Sequence, residues 1–344
     1  MSVPKSSLPV LALAAVCAAC ATPRAPADAG RIYVSNEESQ TLSVIDAARD
    51  SVVATIPVGT RPRGVHAGAD GRVFVALSGS PRCPPTMPDA ECEKLVSDKS
   101  KDGIAVVDPA AGRVERILPG GSDPENFAVS DDGSRLYVSN EDANAASIVD
   151  VASGRVTATV PVGREPEGVG IRPGGREVWV TGETDHDVTI FDAASGRVTG
   201  RVVVDRRPRG VAFSPDGRTA YVTAEVGGTL SIVDAGARRV TDTIPFGPGA
   251  RPMGVVVSRD GSRVYVTTGR GGTLVSVDPA ARRIVGSAAV GPRPWGVALS
   301  ADGRRLYTAN GPSGDVTVVD AATLTVLRRI PVGKMPWGVA AGPR

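Results

Sequence analysis

Seven aspartates divide this 344-residue chain almost evenly: Asp46, Asp108, Asp150, Asp192, Asp234, Asp278 and Asp320, with gaps of 62, 42, 42, 42, 44 and 42 residues. So many carboxylates could serve as metal ligands or acid–base groups. Each, however, closes an apolar run and precedes a turn, where a side-chain carboxylate accepts turn N–H groups, so the seven read as structural. The Asp-Gly pairs beginning at Asp70, Asp132, Asp216, Asp260 and Asp302 read as hairpin-turn formers. Chemistry is better sought where the repeat varies. A Pro-x-Gly-type segment recurs at Pro62, Pro124, Pro166, Pro208, Pro252, Pro294 and Pro336, and x changes each time: Arg63, Glu125, Glu167, Arg209, Met253, Trp295 and Trp337. If the repeats close into a ring, these side chains line its axis. They would form a pocket for a flat or anionic ligand, or for a partner's side chain. Arg61, Arg164, Arg206, Arg207, Arg251, Arg293 and Lys334 stand beside them, and the acids Glu37, Glu38, Glu141, Asp142, Glu183, Asp185, Asp187, Glu225 and Asp315 sit in loops that would share the same face.

Other constellations carry less. Asp185-His186-Asp187 is the most metal-like fragment, but consecutive side chains on an extended chain diverge. The chain holds only His66 and His186, and neither has an evident nucleophile beside it, so a Ser-His-Asp arrangement lacks material. Glu125, Glu167 and the loop acids could supply a carboxylate pair, but their separation is not written in the sequence.

The elements that must position these residues follow from the unit itself. In residues 208–244, Pro208 to Ser214 forms a first strand, and Pro215-Asp216-Gly217-Arg218 a tight turn. Ala220 to Thr223, Thr229 to Asp234 and Arg239 to Ile244 are the next three strands. No segment carries a 3.6-residue apolar period long enough to compete as a helix. The 41 Gly and 28 Pro fit many short turns. A four-stranded antiparallel blade cannot bury both faces alone, so the expected fold is an all-β, seven-bladed propeller spanning 31–344. The chain begins on a second strand and ends on a first one, so the C-terminal strand should join the N-terminal three and close the ring. The long gap between Asp46 and Asp108 marks an insertion at 79–102.

The run LYVSN…SIVD…GRVTATVPVG…PEGVGI resembles the YVTN-repeat β-propellers, which are secreted or periplasmic and more distantly related to seven-bladed lactonases and to the haem-carrying propeller of cytochrome-type nitrite reductases. The resemblance covers 31–344 and implies the fold. It does not extend to a function, because the repeated residues are scaffold.

Residues 1–22 read as a signal peptide: Lys5 precedes an apolar run from Leu8 to Ala19, and small residues lead to Cys20, as at a lipoprotein processing site. Residues 23–30 read as a flexible tether. The expected location is the bacterial periplasm, with membrane contact through the lipid anchor, most simply at the outer membrane; ordinary cleavage after Ala19-Cys20-Ala21, giving a freely secreted protein, is the alternative. Of the 4 cysteines, Cys83 and Cys92 lie in the insertion, where an oxidising compartment favours a disulfide. A net charge of +2 supplies no global field for nucleic acid. The functional expectation is a monomeric, non-enzymatic scaffold that binds a protein or small molecule at the funnel without a cofactor, a metal ion remaining open. The alternatives are a metal-dependent lactonase-like hydrolase and a carrier of a redox cofactor.

Overall fold

A computed structural model of the chain describes Met1 and residues 30–82, 87, 89–92 and 94–343. Cys20, Cys83, the leader after Met1 and the tether up to residue 29 lie outside the described residues, as does the side chain of Cys92.

Seven four-stranded antiparallel sheets surround one axis. The unit dissected above has strands Pro208–Phe213, Thr219–Ala224, Thr229–Asp234 and Arg239–Pro245, from axis to rim, within a residue or so of the sequence reading. Ring closure follows the same reading. The last strand, Pro336–Ala341, pairs antiparallel with the first, Arg31–Asn36, placing Ile32 opposite Ala341 and Val34 opposite Val339. We number the blades from this composite one.

The core lies between blades. Seven apolar clusters fill the seven blade–blade interfaces: for example, Leu42, Val44 and Ile56 of blade 1 pack on Val73, Val75 and Val107 of blade 2. The cluster of Ile32, Val34 and Ile45 with Tyr307, Val316 and Val318 seals blade 1 against blade 7. Middle strands are therefore buried on both faces, whereas rim strands such as Arg155–Pro161 bury few side chains. Removal of these apolar faces from water is what makes the ring cohere.

The repeated aspartates do the turn work expected of them. Asp46 Oδ1 accepts the N–H groups of Ala48 and Arg49 at 2.9 and 3.1 Å, and Asp320 Oδ1 those of Ala322 and Thr323 at 3.0 and 2.8 Å. In the Asp-Gly hairpins, Asp216 Oδ1 accepts from Arg218 N at 3.0 Å while Gly217 takes φ +67°, a conformation glycine reaches without steric cost.

The glycine after x faces the next blade. A Cβ on Gly254 would lie 2.6 Å from the Trp295 carbonyl oxygen and 3.2 Å from Val297 N. Gly254→Ala should therefore cost about 1–3 kcal/mol through overpacking. A lowered urea midpoint checks this; an unchanged midpoint would mean that the inner strands part freely.

Candidate functional site

Each blade offers two side chains to one end of the axis, one on either side of its proline. The residue before proline forms an outer tier: Arg61, Asp123, Glu165, Arg207, Arg251, Arg293 and Met335. The residue after it forms an inner tier: Arg63, Glu125, Glu167, Arg209, Met253, Trp295 and Trp337. Six outer-tier residues hold positive φ, between 45° and 58°, Arg251 being the exception. For non-glycine residues this region is sparsely populated, and such strain persists only where the surroundings over-determine it.

Those surroundings include a belt of hydroxyl groups. The Ser or Thr near the end of the second strand accepts an N–H from its own inner strand and donates to the carbonyl of x in the next blade. Thr223 Oγ1 accepts from Gly210 N at 2.8 Å and donates to Met253 O at 2.6 Å. Ser139 donates to Glu167 O at 2.6 Å, Thr181 to Arg209 O at 3.1 Å and Thr267 to Trp295 O at 2.6 Å. Ser35 does the same for Arg63. Two blades carry Ala76 and Ala309 at this position, so Glu125 and Trp337, which flank Arg63 around the ring, have no hydroxyl clamp.

On one wall, carboxylate oxygens of Asp123, Glu125 and Glu141 lie within 4.8 Å of one another. Asp123 is fixed from behind: its N–H donates to Asp102 Oδ2 at 2.9 Å, and Ser78 Oγ donates to its carboxylate. Asp102 also accepts Gly79 N at 2.7 Å, tying the base of the insertion to this wall. Glu125 is fully buried, and its Oε2 has no hydrogen-bond partner among the described residues. Arg63 contacts Glu125 and lies 3.9 Å from Glu141 and 4.0 Å from Glu37; Arg61 bonds Glu37 at 2.8 Å and lies 3.9 Å from Asp123. Four carboxylates thus face two guanidinium groups. Burial raises the pKa of Glu141.

The opposite wall is organised by Arg209. Its guanidinium reaches Glu167 at 2.6 Å and Glu225 at 2.8 Å and contacts Glu183; Arg207 reaches Glu183 at 2.6 Å and Glu225 at 3.4 Å. Burial alone would lower the Arg209 pKa, but the three carboxylates more than reverse it. Glu167 stays ionised, because Arg209 and Arg63 outweigh its burial. Glu183, 3% exposed, is pushed up to about 8 by burial and by the Glu167 charge, against the pull of Arg209 and Arg207. Burial thus favours a proton shared within the Glu167–Glu183 pair, Glu183 being the member whose pKa is raised.

A pH dependence follows. An acid whose folded pKa exceeds its unfolded value of roughly 4.3 contributes most below that value, and the contribution is lost as pH rises toward 8. Wild type should lose stability across pH 5–8 by up to about 1.4 kcal/mol per pH unit from this group. In Glu183→Gln the slope should flatten. Melting curves at fixed ionic strength check it, and equal slopes would contradict the assignment.

Trp295 and Trp337 stack at 5.9 Å with 25° between their planes; Arg63 lies 5.0 Å over Trp337 and Arg293 lies 5.1 Å over Trp295. Five residues of each tier line a funnel cavity of about 470 Å³; Glu165 and Arg251 of the outer tier and Glu125 and Met253 of the inner tier do not. Beneath it a chamber of about 80 Å³ is bounded by Met253, Asn126 and the Trp pair, so Glu167, Arg209, Trp295 and Trp337 form the neck between the two. Of the seven inner-tier side chains, Met253 serves the lower chamber and Glu125 sits fully behind the surface.

The Asp185-His186-Asp187 fragment does not converge. Asp185 bonds Arg164 at 2.7 Å, Asp187 bonds Arg201 at 2.8 Å, and His186 Nδ1 lies 2.7 Å from the Glu183 carbonyl. These are separate ion pairs and a loop contact, as diverging side chains require. His66 is half-buried against Phe127 with ring centroids 4.8 Å apart, and desolvation there lowers its pKa to about 4. Sequence reasoning missed Asp123 and the hydroxyl belt. The signal for both was positional: Asp123 is one of two acids before the repeated prolines, and the Ser/Thr recurs in five of seven units.

Residues 10–226 match the family described as SMP-30/Gluconolactonase/LRE-like region. The chain belongs to that family. The matched stretch includes Arg63, Asp123, Glu125, Glu141, Glu167 and Arg209 and stops before both tryptophans of the neck. No curated protein matches. Among solved structures, a functionally unknown protein from Desulfotomaculum acetoxidans is 17% identical with a TM-score of 0.74, over 92% of this chain and 100% of that one. A putative 6-phosphogluconolactonase from Bacteroides uniformis is 16% identical with a TM-score of 0.72, over 91% and 99%. A chain of Kuenenia stuttgartiensis hydrazine synthase is 20% identical with a TM-score of 0.72, over 88% and 99%. At these identities the similarity shows the fold.

Proposed function

We propose that this propeller is a hydrolase of lactone-type esters acting at the funnel with the help of a divalent cation. The observation that carries the reading is the convergence of Asp123, Glu125 and Glu141 within 4.8 Å around a buried, unpartnered Glu125 oxygen. The donors suit such an ion: all are carboxylates, the ligands hard cations prefer. The family membership points the same way. A binding role without catalysis, which the sequence alone put first, keeps one observation in its favour: Arg63 already pairs with Glu125.

Asp123, Glu125 and Glu141 would hold the ion. When bound it would polarise a carbonyl oxygen and lower the pKa of a coordinated water. The chain's own residues prepare the rest. Ser78 and Asp102 fix Asp123. The Trp295–Trp337 pair offers a flat wall to a ring and excludes water on that side. The Glu167–Glu183 pair, of which Glu167 lines the funnel, can hold a proton there. Arg207 and Arg209, held by Glu183, Glu225 and Glu167, fix the opposite wall.

Purified protein should hydrolyse members of a panel of five- and six-membered lactones, with the rate removed by EDTA and restored by Mn²⁺ or Ca²⁺. Saturable lactone binding without turnover under any of these conditions would favour the scaffold reading. We place the protein in the periplasm on the strength of its leader and Cys20; the mass of the mature N-terminus, lipidated or not, tests that placement.

A further inference from the structure

We propose that the funnel contains an anion subsite centred on Arg293, and that the ligand carries a carboxylate or phosphate group there. The inference deepens the reading of the funnel as a small-molecule site and rests on it. Six arginines line the cavity. Five have an acid within 4.0 Å: Arg61 with Glu37, Arg63 with Glu125, Arg82 with Glu38 at 3.8 Å, Arg207 with Glu183, and Arg209 with Glu167. Among the described residues Arg293 alone of the six has neither an ion pair nor a side-chain hydrogen bond.

Its surroundings suit an anion. Arg293 is half-buried and lies over Trp295 at 5.1 Å. The Trp295 face holds the guanidinium group, whose N–H donors have no acceptor among the described residues. Partial burial, then the positive charges of Arg270, Arg82 and Arg209, disfavour its own charge, with Glu225 the one acid acting against them. An anion would relieve that repulsion and accept charge-assisted, two-point hydrogen bonds. The funnel is then bipolar, with the Asp123–Glu125–Glu141 wall at one pole and Arg293 at the other. A ligand with an electrophilic carbonyl and a separate anionic group would span both.

Trp295 supplies the readout. Intrinsic fluorescence of the full chain is titrated with sodium phosphate and, separately, with sodium gluconate, at constant ionic strength held by sodium chloride. Saturable quenching by one of them is expected in wild type. It should weaken at least tenfold in Arg293→Gln and less in Arg293→Lys, and be unchanged in the rim variant Arg283→Gln. The tighter of the two anions identifies the group as phosphate or carboxylate. No saturable response to either anion in wild type, or equal affinity in Arg293→Gln, overturns the subsite. A lactone turnover that persists in that case leaves the hydrolase reading standing. Anion binding that needs Arg293 while no lactone is turned over upholds the subsite and removes the hydrolase.

Discussion

Replacing Arg209 by Met will destabilise the protein by about 3–5 kcal/mol, the usual consequence of removing one partner from a buried ion pair. The guanidinium is 9% exposed and serves Glu167, Glu183 and Glu225, whose side chains are 8%, 3% and 15% exposed. Methionine fills much of the volume but leaves Glu167 ionised with no close cation on its own wall, and Arg207 remains to pair only Glu183 and Glu225. Part of the loss should return at low pH, where Glu167 takes up a proton. The urea midpoint at pH 7 and pH 5 measures both effects. A variant within about 1 kcal/mol of wild type, as an exposed pair would give, would mean that the Arg209 cluster is hydrated and loosely held.

Glu125→Gln acts on chemistry more than on stability. The substitution keeps shape and volume and removes one negative charge from the acidic wall. Divalent-dependent lactone turnover should fall by about two orders of magnitude, since Lewis-acid stabilisation is worth several kcal/mol. The loss should appear in kcat, because the Trp pair and the arginines that bind the ground state are untouched. Stability should fall less than in the Arg209 variant, because Arg63 keeps Glu141 at 3.9 Å and Glu37 at 4.0 Å. Turnover that survives the change would remove Glu125 from the reaction.

The fold was legible because it is periodic. Asp46 to Asp320 mark the third-strand ends, Asp216-Gly217 and its equivalents mark the hairpins, and a chain that starts on a second strand and ends on a first leaves one way to close. Five inner-tier residues were legible for the same reason, as x in Pro-x-Gly; Glu125, behind the surface, and Met253, in the lower chamber, do not line the funnel. What the sequence did not disclose is which tier residues meet. Asp123 lies 18 residues before Glu141 in sequence and reaches it through the neighbouring loop; that proximity depends on the left-handed backbone at Asp123 and on Asp102 from the insertion, and neither has a local pattern. Asp185-His186-Asp187 failed for the opposite reason, as adjacency in sequence set its side chains apart. The perturbed Glu183 was invisible because its shift depends on burial and on Glu167, which sits in a different strand of its blade.

The central claim is that the acidic wall of the funnel takes up a divalent cation through Glu125. Calorimetric titration of Mn²⁺ into the full chain tests it directly, at a pH where Glu141 is ionised. The account predicts one ion per chain for wild type and an affinity at least tenfold weaker for Glu125→Gln. Absence of binding to wild type at millimolar Mn²⁺, or equal binding to both proteins, would contradict it.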